Sequence, residues 1–188
     1  MGLLCIGASP KIIKSDKAGK GYLSAILYLA PWKQSGGHNV CPNATLGCRN
    51  SCLFFAGRGR CNSVLDARIK KTNWLFDDTK GFIEQLYKEI GAFDKKCKKL
   101  GQKAAIRLNG TSDLNWRRFK KTIYEDWPGV QWYDYTKNYF AACEWLDGKY
   151  PKNYHLTFSR SENNEYHCWD VLNRGMNVAV VFEKMPKK

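Results

Sequence analysis

From residue 103 onward, short apolar runs take turns with helical stretches, and few folds accommodate that order. The runs at 103–108 (KAAIRL), 130–135 (VQWYDY), 154–158 (YHLTF) and 177–182 (NVAVVF) read as strands. Between them, 115–127, 138–146 and 164–174 read as helical, the last closed by Gly175. Strands separated by helices predict βα units and a parallel sheet, open or barrel-like. Upstream, 22–30 (YLSAILYLA) is apolar and stops at Pro31; it reads as a buried strand, with a short helix as the other reading. Residues 31–47 are turn-rich loop, and 64–77 has a moderate helical pattern. Residues 79–100 are a clearer helix, with Phe82, Ile83, Leu86, Ile90 and Phe93 at three- and four-residue steps. Its lysine run, Lys95 to Lys99, faces the negative end of the helix dipole, and Gly101 suits the cap.

The length of 188 residues fits one domain. A basic segment spans 1–21, a cysteine-rich loop 31–63, and helices and βα units 64–188. Hydrophobic content of 44% supplies a core, and most of the many aromatics belong in it. The net charge is +14, and residues 1–62 carry eight Lys or Arg against one acid, Asp16. That asymmetry favours nucleic acid or an anionic nucleotide ligand as partner, against the plainer reading of a solvated basic face. No run of 18 apolar residues is present, which excludes a membrane-spanning helix. The N-terminus MGLLCIGAS lacks the pattern of a secretory signal, so the chain is expected in the cytoplasm.

Mostly reduced thiols are therefore expected among the eight cysteines. Cys5, Cys97, Cys143 and Cys168 are scattered and read as small core or incidental residues. Cys41, Cys48 and Cys52 fall within twelve residues, and Cys61 follows. Thiolates so close on a polar, Gly- and Asn-rich loop are expected to converge on a metal. Zinc sites usually draw ligands in CxxC-type pairs, and this chain has none. Irregular spacings fit an iron–sulfur cluster better, with zinc as the alternative. Three thiolates leave one iron open; a fourth, Cys61, closes the cluster. His38 is a weaker candidate for the fourth position.

The segments that leave the strands are chemically alike. Asn109-Gly-Thr-Ser112-Asp113 follows the first of them, Tyr135-Thr-Lys137-Asn138 the second, Ser159-Arg160-Ser-Glu162-Asn163 the third, and Glu183-Lys184 the last. Parallel strands share one carboxyl rim, where ligands bind. Asn109, Ser112, Asp113, Tyr135, Lys137, Ser159, Arg160 and Glu162 are the expected cofactor- or substrate-binding residues. The plain reading of NGTSD is a βα turn with Asp113 as helix cap.

CPNATLGCRNSC with AGRGR, RLNGTSD, YDYTK and HLTFSRSEN resembles the phage-encoded family known as gene product 88, over 40–182. The family's cysteine pattern corresponds to Cys41, Cys48 and Cys52, and a phage origin implies the host cytoplasm. A looser similarity links the chain to radical S-adenosylmethionine enzymes and related phage three-cysteine proteins. It implies a partial (β/α) barrel whose first strand leads into three cysteines holding a [4Fe–4S] cluster, the open iron taking S-adenosylmethionine. The spacing differs: Cys-x3-Cys-x2-Cys in the radical enzymes, x6 then x3 here.

Three function classes follow. The first is an iron–sulfur enzyme of radical type, with Asn109, Ser112 and Asp113 on the cofactor and Lys137, Arg160 and Glu162 on the substrate. The second is a nucleic-acid-binding protein with a structural metal, in which Arg49, Arg58, Arg60, Lys70 and Lys71 contact phosphates. The third is a redox or electron-transfer protein whose cluster cycles without opening. The first two combine in an enzyme acting on a nucleotide or nucleic acid.

Overall fold

A computed structural model describes residues 2–7, 21–55, 59, 61–182 and 184. Six strands form one sheet in chain order: β1 (Leu4–Ile6), β2 (Tyr22–Leu27), β3 (Lys103–Arg107), β4 (Gln131–Thr136), β5 (Tyr154–Ser159) and β6 (Val178–Ala179). Strand β1 runs antiparallel to β2, and every other pairing is parallel. Among the described residues five α-helices accompany them: α1 (Leu46–Asn50), α2 (Asn62–Asp77), α3 (Thr79–Lys99), α4 (Tyr139–Leu146) and α5 (Glu165–Asn173).

Because the parallel strands step sideways in one direction, right-handed crossovers put their connections on one face of the sheet. Helix α3 packs on β1 to β3, α4 on β4 and β5, and α5 on β5 and β6. The core lies between: Ala25, Leu27, Ala104, Ile106, Trp132, Leu156 and Phe158 from the strands meet Phe82, Leu86, Ile90, Ala142 and Val171 from the helices. The sheet is an open α/β layer and does not close into a barrel.

Helix α3 shows how the sequence builds this. Asp78 caps it by accepting the Gly81 N–H at 2.9 Å. Phe82, Leu86, Ile90, Phe93 and Cys97 form its buried stripe, and each large apolar side chain contributes about 2 kcal/mol by leaving water. Lys96, Lys98 and Lys99 sit in its last turn. Gly101 then takes a left-handed conformation (φ 64°), so its N–H reaches Lys98 O at 3.1 Å and Gln102 N–H reaches Cys97 O at 2.9 Å. An L side chain resists that φ, which is why the chain turns on glycine.

Three segments depart from expectation. Residues 115–127 form a 3-10 turn at Trp116–Arg118 and further turns rather than a helix. The strand expected over 177–182 pairs only at Val178–Ala179. Strand β1 was not anticipated. Its entry is pinned from far along the chain, the Glu89 carboxylate accepting the N–H of Leu3, just before the strand, and of Leu4, its first residue, and Lys71 Nζ donating to Leu3 O at 2.9 Å. The basic segment lies mostly outside the described residues. Among the described residues no helix is long and apolar enough to cross a membrane.

Candidate functional site

The cysteine loop and the polar strand ends meet on the carboxyl rim of the sheet. The turn after β3 is drawn against β2: Gly110 N–H donates to Leu27 O at 3.0 Å, and the Thr111 hydroxyl donates to Leu29 O at 2.5 Å. A Cβ at position 110 would stand 2.6 Å from Leu27 O and 2.7 Å from Tyr28 Cδ1, so only glycine permits this approach. Asp113 then ties the loop down. Its N–H donates to Val40 O at 2.8 Å, and its carboxylate accepts from Asn43 Nδ2 at 3.3 Å, Thr136 Oγ1 at 2.7 Å and Lys137 N at 3.1 Å.

Glu162, leaving β5, holds the other side of the loop. It accepts from the Thr45 hydroxyl at 2.7 Å and Gly47 N–H at 2.8 Å, at the head of α1. Thr45 itself caps α1 by accepting Cys48 N–H at 3.3 Å. Hydrogen bonds from its own backbone N–H, from Gly47 and from Thr45 hold the Glu162 carboxyl below its ordinary value of 4.5. The clamp is therefore complete above pH 4.5 and fails as pH falls through the lowered value. Replacing Glu162 with alanine is expected to speed alkylation of Cys48 by iodoacetamide about threefold, with little change in melting temperature. An unchanged rate would show that Asp113 alone restrains the loop.

All three loop thiols are free and half-buried. Cys41 Sγ lies 3.6 Å from Thr111 O. Burial, and then the neighbouring Cys52, Asp113 and Cys48, push its thiol up to about 11, against a lowering hydrogen bond with the Trp32 backbone. The three sulfurs thus share one electrostatic neighbourhood. Cys61 stands apart as the exposed residue preceding α2. His38 turns away and stacks on Phe76, ring centroids 4.1 Å apart. The donor chemistry suits a soft metal or cluster. The ligand set is not preassembled: among the described residues no three His, Cys, Asp or Glu side chains meet at coordinating spacing. Cluster binding therefore requires the loop to draw in.

The other expected residues divide by role. Asn109 is buried, its side chain fully engaged with Asp134, Ser112, Leu114 and Trp116. Ser112 spends its hydroxyl on Asn109. Tyr135 is exposed beneath the Arg107 guanidinium, and Lys137 is half-buried. Ser159 O accepts from Asn164 Nδ2, and Arg160 pairs with Glu165 on the surface at 3.3 Å. Among the expected phosphate contacts, Lys71 is corrected. It is buried and its ammonium is committed to Leu3 O, so it is a strap for β1. Arg49 lies over Trp32 at 4.6 Å and Lys70 is exposed, while Arg58, Arg60 and Glu183 fall outside the described residues.

The family model described as gene product 88 matches residues 3–188. The chain belongs to the gene product 88 family. No curated protein and no solved structure matches it.

Sequence reasoning about this gene product 88 chain missed a second cluster, on the sheet face opposite the helices. Strand registers put Cys5 beside Ile26, Ile26 beside Arg107, Tyr133 beside His155 and Tyr135 beside Thr157. Arg68, from α2, reaches Tyr28 on the same face, 4.9 Å from the ring centroid, and Phe54 at 5.2 Å. Arg107 covers Tyr135 at 4.7 Å. The available signal was strand alternation, which shows in QWYDYT, where every second residue is less buried.

Proposed function

We propose that this protein is an iron–sulfur protein of radical-SAM-like architecture, its [4Fe–4S] cluster held by Cys41, Cys48 and Cys52 and its ligand a nucleotide or nucleic acid. One observation carries the reading: a single loop bearing three free thiols is clamped by Asp113 and Glu162 onto the carboxyl rim of an open parallel sheet. Bound there, the cluster would supply one-electron chemistry and, with three protein thiolates, an iron free to take S-adenosylmethionine. The protein's part is to hold the loop, to keep Cys41 away from water, and to release its proton as the thiolate forms. Cys61, exposed at the head of α2, is left outside the ligand set.

The basic charge of +14 supports the nucleotide or nucleic-acid part of the reading. A colourless zinc protein would make the metal structural and favour the plain nucleic-acid-binding alternative. A cluster that cycles reversibly without exchanging a ligand would favour electron transfer.

The test is oxygen-free purification and reconstitution, followed by iron, sulfide and zinc analysis. The expected product is brown, with about four iron and four sulfide per chain. Cys41→Ser, Cys48→Ser and Cys52→Ser should each lose most of the iron, and Cys61→Ser should keep it. Bare thiols in the wild-type protein would overturn the proposal. Cleavage of S-adenosylmethionine by the reduced protein tests the radical assignment separately.

A further inference from the structure

We infer that the sheet face opposite the helices carries a binding site for a terminal phosphate group, built from Arg68, Arg107, Tyr28 and Tyr133. It rests on the nucleotide part of the function proposed above and not on the cluster.

The argument begins with unsatisfied donors. Arg68 Nη1 and Arg107 Nε are both buried from solvent and lack a hydrogen-bond partner among the described residues. A guanidinium is charged at every relevant pH, and its N–H groups are costly to leave unpaired. Arg68 forms no ion pair among the described residues, and Arg107 has one carboxylate nearby, Asp134 at 3.6 Å from Nε. Asp134 is itself engaged by the Asn109 N–H and Nδ2, so the pair leaves guanidinium capacity over. The Arg107 side chain retains 24% of its exposure and the neighbouring Tyr135 39%, so solvent reaches the edge of the cluster while the two orphaned donors lie beneath it.

Tyr28 joins the two cations. The Arg68 guanidinium lies over its ring, and its hydroxyl is within electrostatic reach of both Arg68 and Arg107. Tyr133 is in reach of Arg107 and Tyr28 and hydrogen-bonds Ser24. Burial raises Tyr28 and pushes Tyr133 up to about 12, so both hydroxyls stay protonated donors.

Strand register sets Arg107 next to Ile26 on one side and, one step past the Ile106–Trp132 pair, next to Tyr133 on the other, while Arg68 lies over Tyr28, so two guanidinium groups and two phenols are neighbours on this face. That suits a dianionic phosphate monoester, which offers three acceptor oxygens, better than a backbone diester with one charge. The rings of Tyr28 and Tyr135 already lie under guanidinium groups, so base stacking is not what this spot offers. The assigned ligand class is therefore a 5′-nucleotide or similar monoester bound through its phosphate.

The test is calorimetric titration of the full chain, before and after cluster reconstitution, with adenosine 5′-monophosphate, adenosine, and a single-stranded oligonucleotide lacking terminal phosphates. The monophosphate should bind, with adenosine and the oligonucleotide at least about tenfold weaker. Arg68→Gln and Arg107→Gln should each weaken monophosphate binding about tenfold or more. Tyr133→Phe removes one donor with little disturbance to packing and should weaken it severalfold, even if an arginine variant fails to fold. No monophosphate binding, or equal binding of the unphosphorylated oligonucleotide, would overturn the inference. Monophosphate binding without a cluster would sustain it while the iron–sulfur reading fails, and the reverse result would separate the two the other way.

Discussion

Replacing Asn109 with alanine is expected to destabilise the protein by about 4 kcal/mol, from two or more buried groups left without partners. The Asn109 Oδ1 accepts from Ser112 Oγ at 2.8 Å, Leu114 N–H at 3.0 Å and Trp116 Nε1 at 3.1 Å. Its Nδ2 donates to Leu114 O at 3.0 Å and Asp134 Oδ2 at 3.2 Å. Alanine keeps none of these. The Trp116 indole is fully buried, so its N–H cannot turn to water, and the carboxylate of Asp134 loses one of the donors that make its burial tolerable. Chemical denaturation should show the loss, with a fall in melting temperature of about 10 °C. Because the same turn carries Gly110, Thr111 and Asp113, the cysteine loop should loosen too, and Cys41 should become more reactive to alkylating reagents. A loss below about 1 kcal/mol would mean that the ties to Leu27 and Leu29 hold the turn without the amide.

Asn109 also shows what the sequence could and could not convey. The stretch NGTSD at a strand end marked a place, the carboxyl rim, because strand order and right-handed crossovers follow from local patterns. It did not mark a role. Whether an asparagine faces a ligand or braces its own turn depends on Trp116 and Asp134, and the second of these lies a whole βα unit away. Asp113 and Glu162 behave alike: expected at the rim, they are found gripping the backbone and side chains of the cysteine loop. Helix α3 was legible because its stripe, its cap and its glycine are all local. Strand β1 was not, because so short a strand gains its place from Glu89 and Lys71, which hold Leu3 and Leu4 at its start. Residues 177–182 have strand composition, yet Val181 is 99% exposed; pairing with β5 ends at Ala179. The helical look of 115–127 came from Trp116, Ile123 and Tyr124, which are buried from turns rather than from one helix face. The cationic face was hidden for a further reason: Arg68, Arg107 and Tyr28 come from three elements, and only the assembled sheet makes them neighbours.

The second large effect is a dependence of stability on pH centred on Asp134. This carboxyl is buried on β4, and desolvation raises it from 3.8 to about 7, against the lowering pull of Arg107 and the Asn109 N–H. A cavity of about 30 Å³ adjoins it, lined also by Asn109, Asp113, Tyr124 and Tyr154. That volume admits one or two waters, too few to restore the hydration of a charge. Between pH 3.8 and about 7 the folded state holds a proton that the unfolded chain has released. Stability attributable to this group is therefore whole below pH 3.8, declines as pH rises, and levels off above about 7. That rise in the carboxyl's pKa corresponds to a total change of about 4 kcal/mol. Asp134→Asn removes the titration, so the difference in unfolding free energy between variant and wild type should move in the variant's favour across that interval, whatever constant offset the new amide brings by facing Asn109 Nδ2. Denaturation of both proteins at half-unit steps from pH 4 to pH 8 measures it. Parallel curves would show that the carboxylate ionises normally, with Arg107 and Asn109 together offsetting the whole cost of burial.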